Sequence, residues 1–405
     1  KPKTSFPVCR CARLSLFLDK TGGGSAFVQA ENFVSGLPLR SPFTIFALME
    51  YSIEKALATA LENLAHLVEI PSCSRQEDGT AEYLLSHLSG RGIAAQRVKN
   101  NVWALNRHFD PKLPTLLLCS HHDTVRPAAG YTRNPYRASL EQGRLYGLGS
   151  NDAGAPLVSL IEAFARFYPR QGLRYNLALA AVAEEECSGA DGVSALWEHL
   201  PPIDCAIVGE PTGMRMAVAE KSLIVVDCTA QGRSGHAARE EGDNAIYKAV
   251  QDIEAIRRYE FPRVSPTLGK VKMTVTMIQA GTQHNVIPDK CTFTVDIRTT
   301  DAYTNREIMD TLQGLIGAQA QARSLRRRAW AIASDHPLVE AGRALGLDSF
   351  GSPTMSDAAL LPCPCLKIGP GLSERSHTAD EYVEVAELEQ GIRVYGQLLE
   401  RLLVG

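Results

Sequence analysis

Continuous apolar segments that end next to potential metal ligands constrain this chain more than any other feature. Short, uninterrupted apolar runs are typical of strands buried on both faces, as in a mostly parallel sheet covered by helices. Apolar residues at helical spacing, as over 57–68, occur between these runs. We therefore expect an α/β fold with a mostly parallel sheet. The segments are 115–119, 177–183, 206–208 and 366–368, the last of which contains Lys367 between two apolar residues.

The middle of the chain has a different pattern. Residues 271–277 and 291–298 alternate between apolar and polar side chains, which is typical of an antiparallel sheet with one solvated face. Helical stretches near 244–259 and 305–317 complete a strand-helix-strand-strand-helix-strand order, the layout of a small split α/β unit. The sequence thus predicts a larger α/β domain with a smaller one inserted. The expected segments are an extension over 1–48, a first part of the larger domain over 49–215, the insertion over 216–332 and a second part over 333–405.

Composition excludes several classes of protein. The chain has 405 residues and a net charge of 42 − 45 = −3, so no global basic field points to nucleic acid. It contains no run of 18 apolar residues, so no transmembrane helix is expected. Its ten cysteines are too few for a disulfide scaffold, and several lie inside apolar runs. We expect a protein of the reducing cytoplasm.

The first 48 residues differ from the rest of the chain. They contain no methionine, and they carry six Lys or Arg residues against Asp19 and Glu31. A basic segment that is poor in acids fits a targeting peptide. The alternative is a disordered or non-native extension, with Met49 as the natural start, and we favour this alternative.

Potential ligands cluster at the predicted strand ends. Because ligands of open parallel sheets bind outside the carboxyl ends of the strands, these side chains are expected to converge. A lone histidine is usually structural and an acidic run is usually a solvated loop. Three acids directly after a buried strand are nevertheless costly unless a cation neutralises them. Two histidines with three carboxylates suit a pair of divalent ions, and zinc is favoured. The candidates are His121, Asp152, the run Glu184-Glu185-Glu186, Glu210 and His377.

Other motifs in the sequence give weaker predictions of function. Gly147-Leu148-Gly149 begins like a dinucleotide fingerprint, but Asp152 stands at the third glycine position and would repel a pyrophosphate. The chain contains no phosphate-binding Gly-Lys-Ser/Thr loop and no Gly-x-Ser-x-Gly serine motif. We expect the run 326–328, three arginines, to be a solvated edge, and Cys363 and Cys365 to be buried thiols.

Taken in order, the motifs resemble a family of co-catalytic di-zinc amidohydrolases and metallopeptidases. This family includes acetylornithine deacetylase, succinyl-diaminopimelate desuccinylase, aminoacylase and the glutamate carboxypeptidases. The resemblance covers about residues 50–404 and is strongest to the branch that acts on N-acyl-ornithine or N-acyl-citrulline. The motifs are Ser120-His121-His122-Asp123-Thr124-Val125, Gly147-Leu148-Gly149-Ser150-Asn151-Asp152, Glu184-Glu185-Glu186, Gly209-Glu210-Pro211-Thr212, Ser234-Gly235-His236-Ala237 and Ser376-His377.

The resemblance implies a metal centre of two divalent ions, zinc with cobalt as an alternative. His121 and Glu210 would bind one ion. Glu186 and His377 would bind the other, and Asp152 would bridge both.

The resemblance also implies roles around the metals. Glu185 would be the general base, and Asp123 would fix the tautomer of His121. The inserted domain would be a lid and a dimerisation domain, and His236 in it would stabilise the oxyanion in its own or the partner subunit. Asn285 and Arg298 would bind the carboxylate end of the substrate, since the planar guanidinium matches two carboxylate oxygens.

The expected activity is metal-dependent hydrolysis of the N-acyl amide of an amino acid. N-acetyl-ornithine or N-acetyl-citrulline, in arginine biosynthesis, is the first candidate substrate. Succinyl-diaminopimelate and dipeptides stay open, as does a catalytically dead metal-binding scaffold. We expect a homodimer formed through the lid domain, with no nucleic-acid or membrane partner.

Overall fold

A computed structural model of the chain describes residues 52–404, and the expectation for residues 1–48 lies outside this range. The helices are α1 (Ile53–Glu69), α2 (Asp78–Gly90), α3 (Ala155–Phe167), α4 (Val193–Trp197), α5 (Ala245–Arg258), α6 (Asn305–Leu315), α7 (Pro337–Ala344) and α8 (Val385–Leu403). The strands of the first half are β1 (Ala95–Val98), β2 (Asn101–Leu105), β3 (Thr115–His121), β4 (Ser139–Glu141), β5 (Arg144–Tyr146), β6 (Asn176–Val182), β7 (Cys205–Val208), β8 (Met216–Glu220) and β9 (Ser222–Gln231). Those of the second half are β10 (Gly235–His236), β11 (Lys272–Ala280), β12 (Val286–Ile287), β13 (Lys290–Thr299), β14 (Gln319–Ala322), β15 (Trp330–Ala331), β16 (Ser349–Ser352), β17 (Cys365–Lys367) and β18 (Tyr382–Glu384).

The described residues form a nine-stranded mixed sheet whose four central strands are parallel. These strands lie in the order β6-β3-β7-β17, with antiparallel pairs on both sides. Every residue of the four central strands is buried, because helices such as α3 pack against the sheet. The expected α/β fold with a mainly parallel central sheet is confirmed.

Helix α1 shows how the sequence sets the bounds of an element. The side chain of Ser52 accepts a hydrogen bond from the backbone N–H of Lys55 (3.3 Å), which caps the first turn. Its apolar residues recur at helical spacing, and Leu64 and Val68 lie in the main core. The helix ends at Glu69, just before Pro71, because a proline disfavours helical backbone at the preceding residue.

A separate four-stranded antiparallel sheet lies between β8 and β15 in the sequence. Its order, β11-β13-β9-β14, together with α5 and α6 gives the ferredoxin-like arrangement that the alternating pattern predicted. Its inward side chains, such as Val226, Phe293 and Val295, form a second core. The segment 216–220, which the sequence analysis placed in the insertion, is β8 and pairs within the larger sheet.

The larger sheet brings the predicted ligands to one edge. Strand β3 ends at His121, which is paired with Val182 at the end of β6. Glu210 follows the end of β7 by two residues, and His377 follows β17 through a short loop. Because these four strands are neighbours and parallel, their carboxyl ends lie side by side.

Candidate metal centre

Three of the predicted ligands form a compact group. One ligand atom from each of His121, Asp152 and Glu186 lies within 4.8 Å of the other two. Asp152 is central, because its Oδ1 is 3.2 Å from Nε2 of His121 and its Oδ2 is 3.7 Å from Nε2 of His377. A carboxylate that faces one histidine with each oxygen has the geometry of a bridging ligand.

The remaining ligands flank this bridge on opposite sides. Nε2 of His377 lies 2.9 Å from Oε2 of Glu186, and Nε2 of His121 lies 4.0 Å from Oε1 of Glu210. The structure therefore brings all five predicted ligands together, in two groups that share Asp152.

Asp123 organises the backbone beside these ligands. Its carboxylate accepts hydrogen bonds from the hydroxyl of Ser74 (2.7 Å) and from the backbone N–H groups of Glu185 (3.0 Å) and Glu186 (3.2 Å). Nδ1 of His121 is nearer to the backbone carbonyl oxygen of Asp123 (2.9 Å) than to its carboxylate (3.5 Å). A proton on Nδ1, donated to that carbonyl, would leave Nε2, the nitrogen on the side of Asp152 and Glu210, available as a metal ligand.

The neighbouring His122 is not part of the group. Its Nδ1 is 2.8 Å from the hydroxyl of Thr80, and its Nε2 is 2.9 Å from the carbonyl oxygen of Asn100. Burial lowers the pKa of His122 to about 4, so it is a neutral core residue at neutral pH. The structure thus gives two adjacent histidines different surroundings.

The site concentrates acidic side chains. Burial and neighbouring acids raise the pKa values of Glu185 and Glu210 well above their usual range. Burial opposes a charge on His121, but its contacts with Asp123 and Asp152 outweigh this and raise the pKa of His121. Acids this close together are costly unless cations neutralise them. Nitrogen and carboxylate oxygen donors suit divalent ions of the zinc type, so these side chains fit the expected metal pair.

Glu185 differs from the surrounding acids. Among the residues that the structure describes, its carboxylate has no hydrogen-bond or ion-pair partner, whereas Asp152 and Glu186 both contact histidines. A carboxylate without a partner beside a metal site is available to move a proton.

These acids line a cavity of about 520 Å³, a volume that suits a small-molecule ligand. Its walls come from the segments after β7, β16 and β17. The lining residues are Asp152, Glu185, Glu186, Glu210, Pro211, Thr212, Gly213, Arg215, Phe350, Ser352, Pro353, Thr354, Met355, Lys367, Leu372, Ser373, Glu374, Ser376 and His377.

The candidate residues of the smaller unit lie elsewhere. His236 and Asn285 are close to each other, since β10 pairs with β12 and the carbonyl of Asn285 accepts a hydrogen bond from Ala237 (3.0 Å). Arg298 lies on β13 and pairs with Asp296 (2.9 Å). All three candidates are exposed, and none of them lines the cavity.

Sequence reasoning missed Glu381. This buried carboxylate accepts hydrogen bonds from the backbone N–H groups of Gly149 (3.0 Å), Asn151 (2.9 Å) and Asp152 (2.9 Å). Burial raises the pKa of Glu381 to about 7, and nearby Asp152 adds to the shift. Glu381 therefore fixes the turn that presents the bridging carboxylate. Its only sequence signal is an acid just before a strand.

A second missed feature is a buried ion pair at the wall of the cavity. Nζ of Lys367 lies 2.8 Å from the carboxylate of Glu220 and donates to the carbonyl of Thr354 (3.0 Å). Glu220 also accepts hydrogen bonds from the backbone N–H (2.9 Å) and hydroxyl (2.8 Å) of Ser356. This pair holds the 354–356 segment, part of which lines the cavity.

The expectation of a solvated edge at 326–328 is wrong in part. Arg327 is half-buried and donates to the hydroxyl of Ser188 (2.8 Å), while Arg326 donates to the Ser188 carbonyl (3.1 Å). These contacts link the end of the smaller unit to the segment that follows Glu186.

The sequence profile of peptidase family M20/M25/M40 matches residues 117–401. The chain belongs to this family. It is therefore a hydrolase of the M20 type, in agreement with the resemblance found in the motifs. None of the helices over 52–404 is long and apolar enough to cross a membrane.

Named relatives fall into two groups. Acetylornithine deacetylase of Proteus mirabilis (strain HI4320) is 30% identical, over 70% of this chain and 79% of the relative. Succinyl-diaminopimelate desuccinylase of Magnetococcus marinus is 27% identical, over 83% of this chain and 96% of the relative.

Solved structures support the fold. Aminopeptidase PepT from Bacillus cereus superposes with a TM-score of 0.68 at 20% identity, over 85% of this chain and 98% of that one. The YXEP protein of Bacillus subtilis, described as a dinuclear metal binding peptidase of the M20 family, has a TM-score of 0.63 at 18% identity, with 85% and 98% covered.

Proposed function

We propose that this chain hydrolyses the N-acyl amide of an amino acid in a reaction that depends on two divalent metal ions. The observation that carries the proposal is Asp152, whose two oxygens face His121 and His377, beside the unpartnered carboxylate of Glu185. A dinuclear site with a free base can polarise an amide carbonyl, activate a water molecule and move its proton, which together support amide hydrolysis.

The two groups of side chains that share Asp152 give the proposed metal ligands. His121 and Glu210 would hold one ion, Glu186 and His377 the other, and Asp152 both. When bound, the ions polarise the amide carbonyl and make a water molecule more acidic. Zinc is the first candidate and cobalt the second.

The protein side chains would move the protons. Glu185 takes a proton from a water molecule in the cavity, and the hydroxide attacks the acyl carbon. The C–N bond of the resulting tetrahedral intermediate then breaks, and Glu185 returns the proton to the leaving amine. His236, which lies outside the cavity in this chain, would stabilise the oxyanion from the lid, through closure or from a partner subunit. Asn285 and Arg298 would bind the carboxylate of the amino acid.

Two kinds of N-acyl amino acid are supported as substrates. N-acetyl-ornithine or N-acetyl-citrulline, in arginine biosynthesis, is favoured by the Gly209-Glu210-Pro211-Thr212 motif and by the acetylornithine deacetylase relative. Succinyl-diaminopimelate is favoured by the desuccinylase relatives, which match more of this chain. We propose a cytoplasmic homodimer for either substrate.

A substrate panel tests this proposal. The metal-loaded full chain is incubated with N-acetyl-ornithine, N-acetyl-citrulline, their N-succinyl analogues, N-succinyl-diaminopimelate and dipeptides, and free amine is measured. Release of amine from an N-acyl amino acid supports the proposal. Full metal occupancy without hydrolysis of any N-acyl amino acid would reject it. Cleavage of dipeptides alone would make the chain a peptidase of the same family.

A further inference from the structure

Arg215 is a cation at the cavity wall without an ionic partner. Its side chain is exposed, and among residues 52–404 no carboxylate forms an ion pair with it. The other cationic side chains of the cavity are engaged, since Lys367 is bound by Glu220 and His377 by Glu186. Arg215 is therefore the cation of this cavity that is free to bind an anionic ligand.

The backbone fixes Arg215 relative to the metal ligand Glu210. The hydroxyl of Thr212 donates to the carbonyl of Arg215 (2.8 Å), and the N–H of Thr212 donates to Gly369 (3.2 Å). Gly213 adopts a positive φ of 64°, which gives the chain a tight turn between the two residues. The turn is thus anchored to the segment that follows β17.

Strand pairing places an aromatic ring against the arginine. Strand β16 runs parallel to β8, with Ser349 opposite Met216 and Phe350 opposite Ala217. The guanidinium carbon of Arg215 consequently lies 4.7 Å from the ring centroid of Phe350. Stacking on the ring orients the planar guanidinium and leaves its N–H groups free for a ligand.

We propose that Arg215 binds a carboxylate on the acyl group of the substrate, so that the preferred substrate carries a dicarboxylic acyl group such as succinyl. This inference rests on the proposed function, in which the metal centre holds the scissile amide. The lid candidates Asn285 and Arg298 account for the carboxylate of the amino acid. Arg215 immediately precedes β8 of the larger sheet and lines the same cavity as Asp152, Glu186 and Glu210, so we assign it to the acyl chain.

The test compares N-acetyl and N-succinyl derivatives of the same amino acid. For each, kcat/KM is measured with the metal-loaded full chain and with Arg215→Met and Arg215→Lys. The original chain should prefer the succinyl amide. Arg215→Met should lower the succinyl value by about 10- to 100-fold, the range for a hydrogen bond to a charged group, and leave the acetyl value nearly unchanged. Arg215→Lys should keep more of the preference for the succinyl amide than Arg215→Met does. Lysine retains the positive charge but lacks the planar guanidinium that can bind two carboxylate oxygens.

Arg401→Met is the matched control, because Arg401 is exposed on α8 and does not line the cavity. It should leave both values unchanged. A preference of the original chain for acetyl amides, or an equal loss on both substrates in Arg215→Met, would overturn the inference while leaving the proposed function intact. Hydrolysis of neither amide by metal-loaded protein would reject the proposed function, and the inference with it.

Discussion

Glu185 and Glu186 are adjacent acids with different surroundings. Glu186 contacts His377, whereas the carboxylate of Glu185 has no partner among the described residues. Their backbone N–H groups both bind Asp123, so one carboxylate fixes the direction of two neighbouring side chains. Adjacent residues of one type can therefore act as a metal ligand and as a base.

Glu185→Gln tests this division. Glutamine keeps the size of the side chain but accepts no proton, so turnover should fall on the order of 10²–10⁴-fold while the metal content stays unchanged. Amine release and metal analysis of the same preparation measure the two effects. Near-normal turnover in the variant would show that Glu185 is not the base.

His236→Ala tests the candidate on the smaller unit. Because His236 does not contact the metal ligands in this chain, its removal should leave the metal content unchanged and slow hydrolysis. Ala237→Ser on the same segment is the control and should retain activity. Loss of metal from His236→Ala would mean that this histidine is a ligand and that its proposed role is wrong.

The sequence predicted that five candidate ligands lie close together because each is at or shortly after a recognisable element. It did not predict Glu381, because its partners at 149–152 are about 230 positions away and no local pattern encodes that contact. The Lys367–Glu220 pair was missed for the same reason. Buried polar contacts between distant segments depend on the completed fold.

At the scale of elements, the segments around the candidate metal centre are held by buried polar groups. The turn 149–152 is bound to Glu381 through three backbone N–H groups. The cavity wall at 354–356 is bound to the Lys367–Glu220 pair. These groups place loops that would otherwise have few fixed contacts.

Glu381→Gln should weaken metal binding. The amide nitrogen of glutamine cannot accept hydrogen bonds, so at least one backbone N–H of the turn loses its partner and Asp152 shifts. Loss of such a supporting contact typically lowers metal affinity by about 10–100-fold. Competition with a chromophoric chelator measures the affinity, and Glu389→Gln, a change at a partly exposed position on α8, is the control. Equal affinities for both variants would contradict the account of the turn.

Thr304→Ala tests how α6 begins. The Thr304 side chain and Glu307 form a reciprocal capping box at the first turn. Its loss should lower the free energy of unfolding by about 1 kcal/mol. Urea denaturation measures the change, and Thr311→Ala within the same helix should cost less. If both variants lost the same free energy of unfolding, the capping box would contribute no more to stability than a threonine within the helix.

The pattern of apolar residues predicted the buried strands and most helices because burial imposes it directly. It placed the segment 216–220 in the insertion. This segment is a strand of the larger sheet, between β17 and β15. Only Lys221 separates this segment from β9, so the sequence shows no boundary between the two strands. The sequence of such a short segment predicts that it forms a strand, but it does not predict which strands it pairs with.

At the scale of the whole molecule, the fold gathers ligands spread from His121 to His377. Four neighbouring parallel strands end at the same edge, and the turn at Asp152 lies beside them. The smaller unit has its own core, and its candidate residues lie outside the cavity. The sequence predicted both units, but the distance between His236 and the metal ligands depends on their arrangement, which no local pattern encodes.

The central claim is that these residues hold two metal ions on which amide hydrolysis depends. The most direct measurement strips the full chain with a chelator, restores zinc in steps, and follows bound metal and amine release from an N-acyl amino acid together. The account predicts no hydrolysis by the stripped protein, and activity that returns as occupancy approaches two ions per chain. Undiminished hydrolysis by metal-free protein would contradict it.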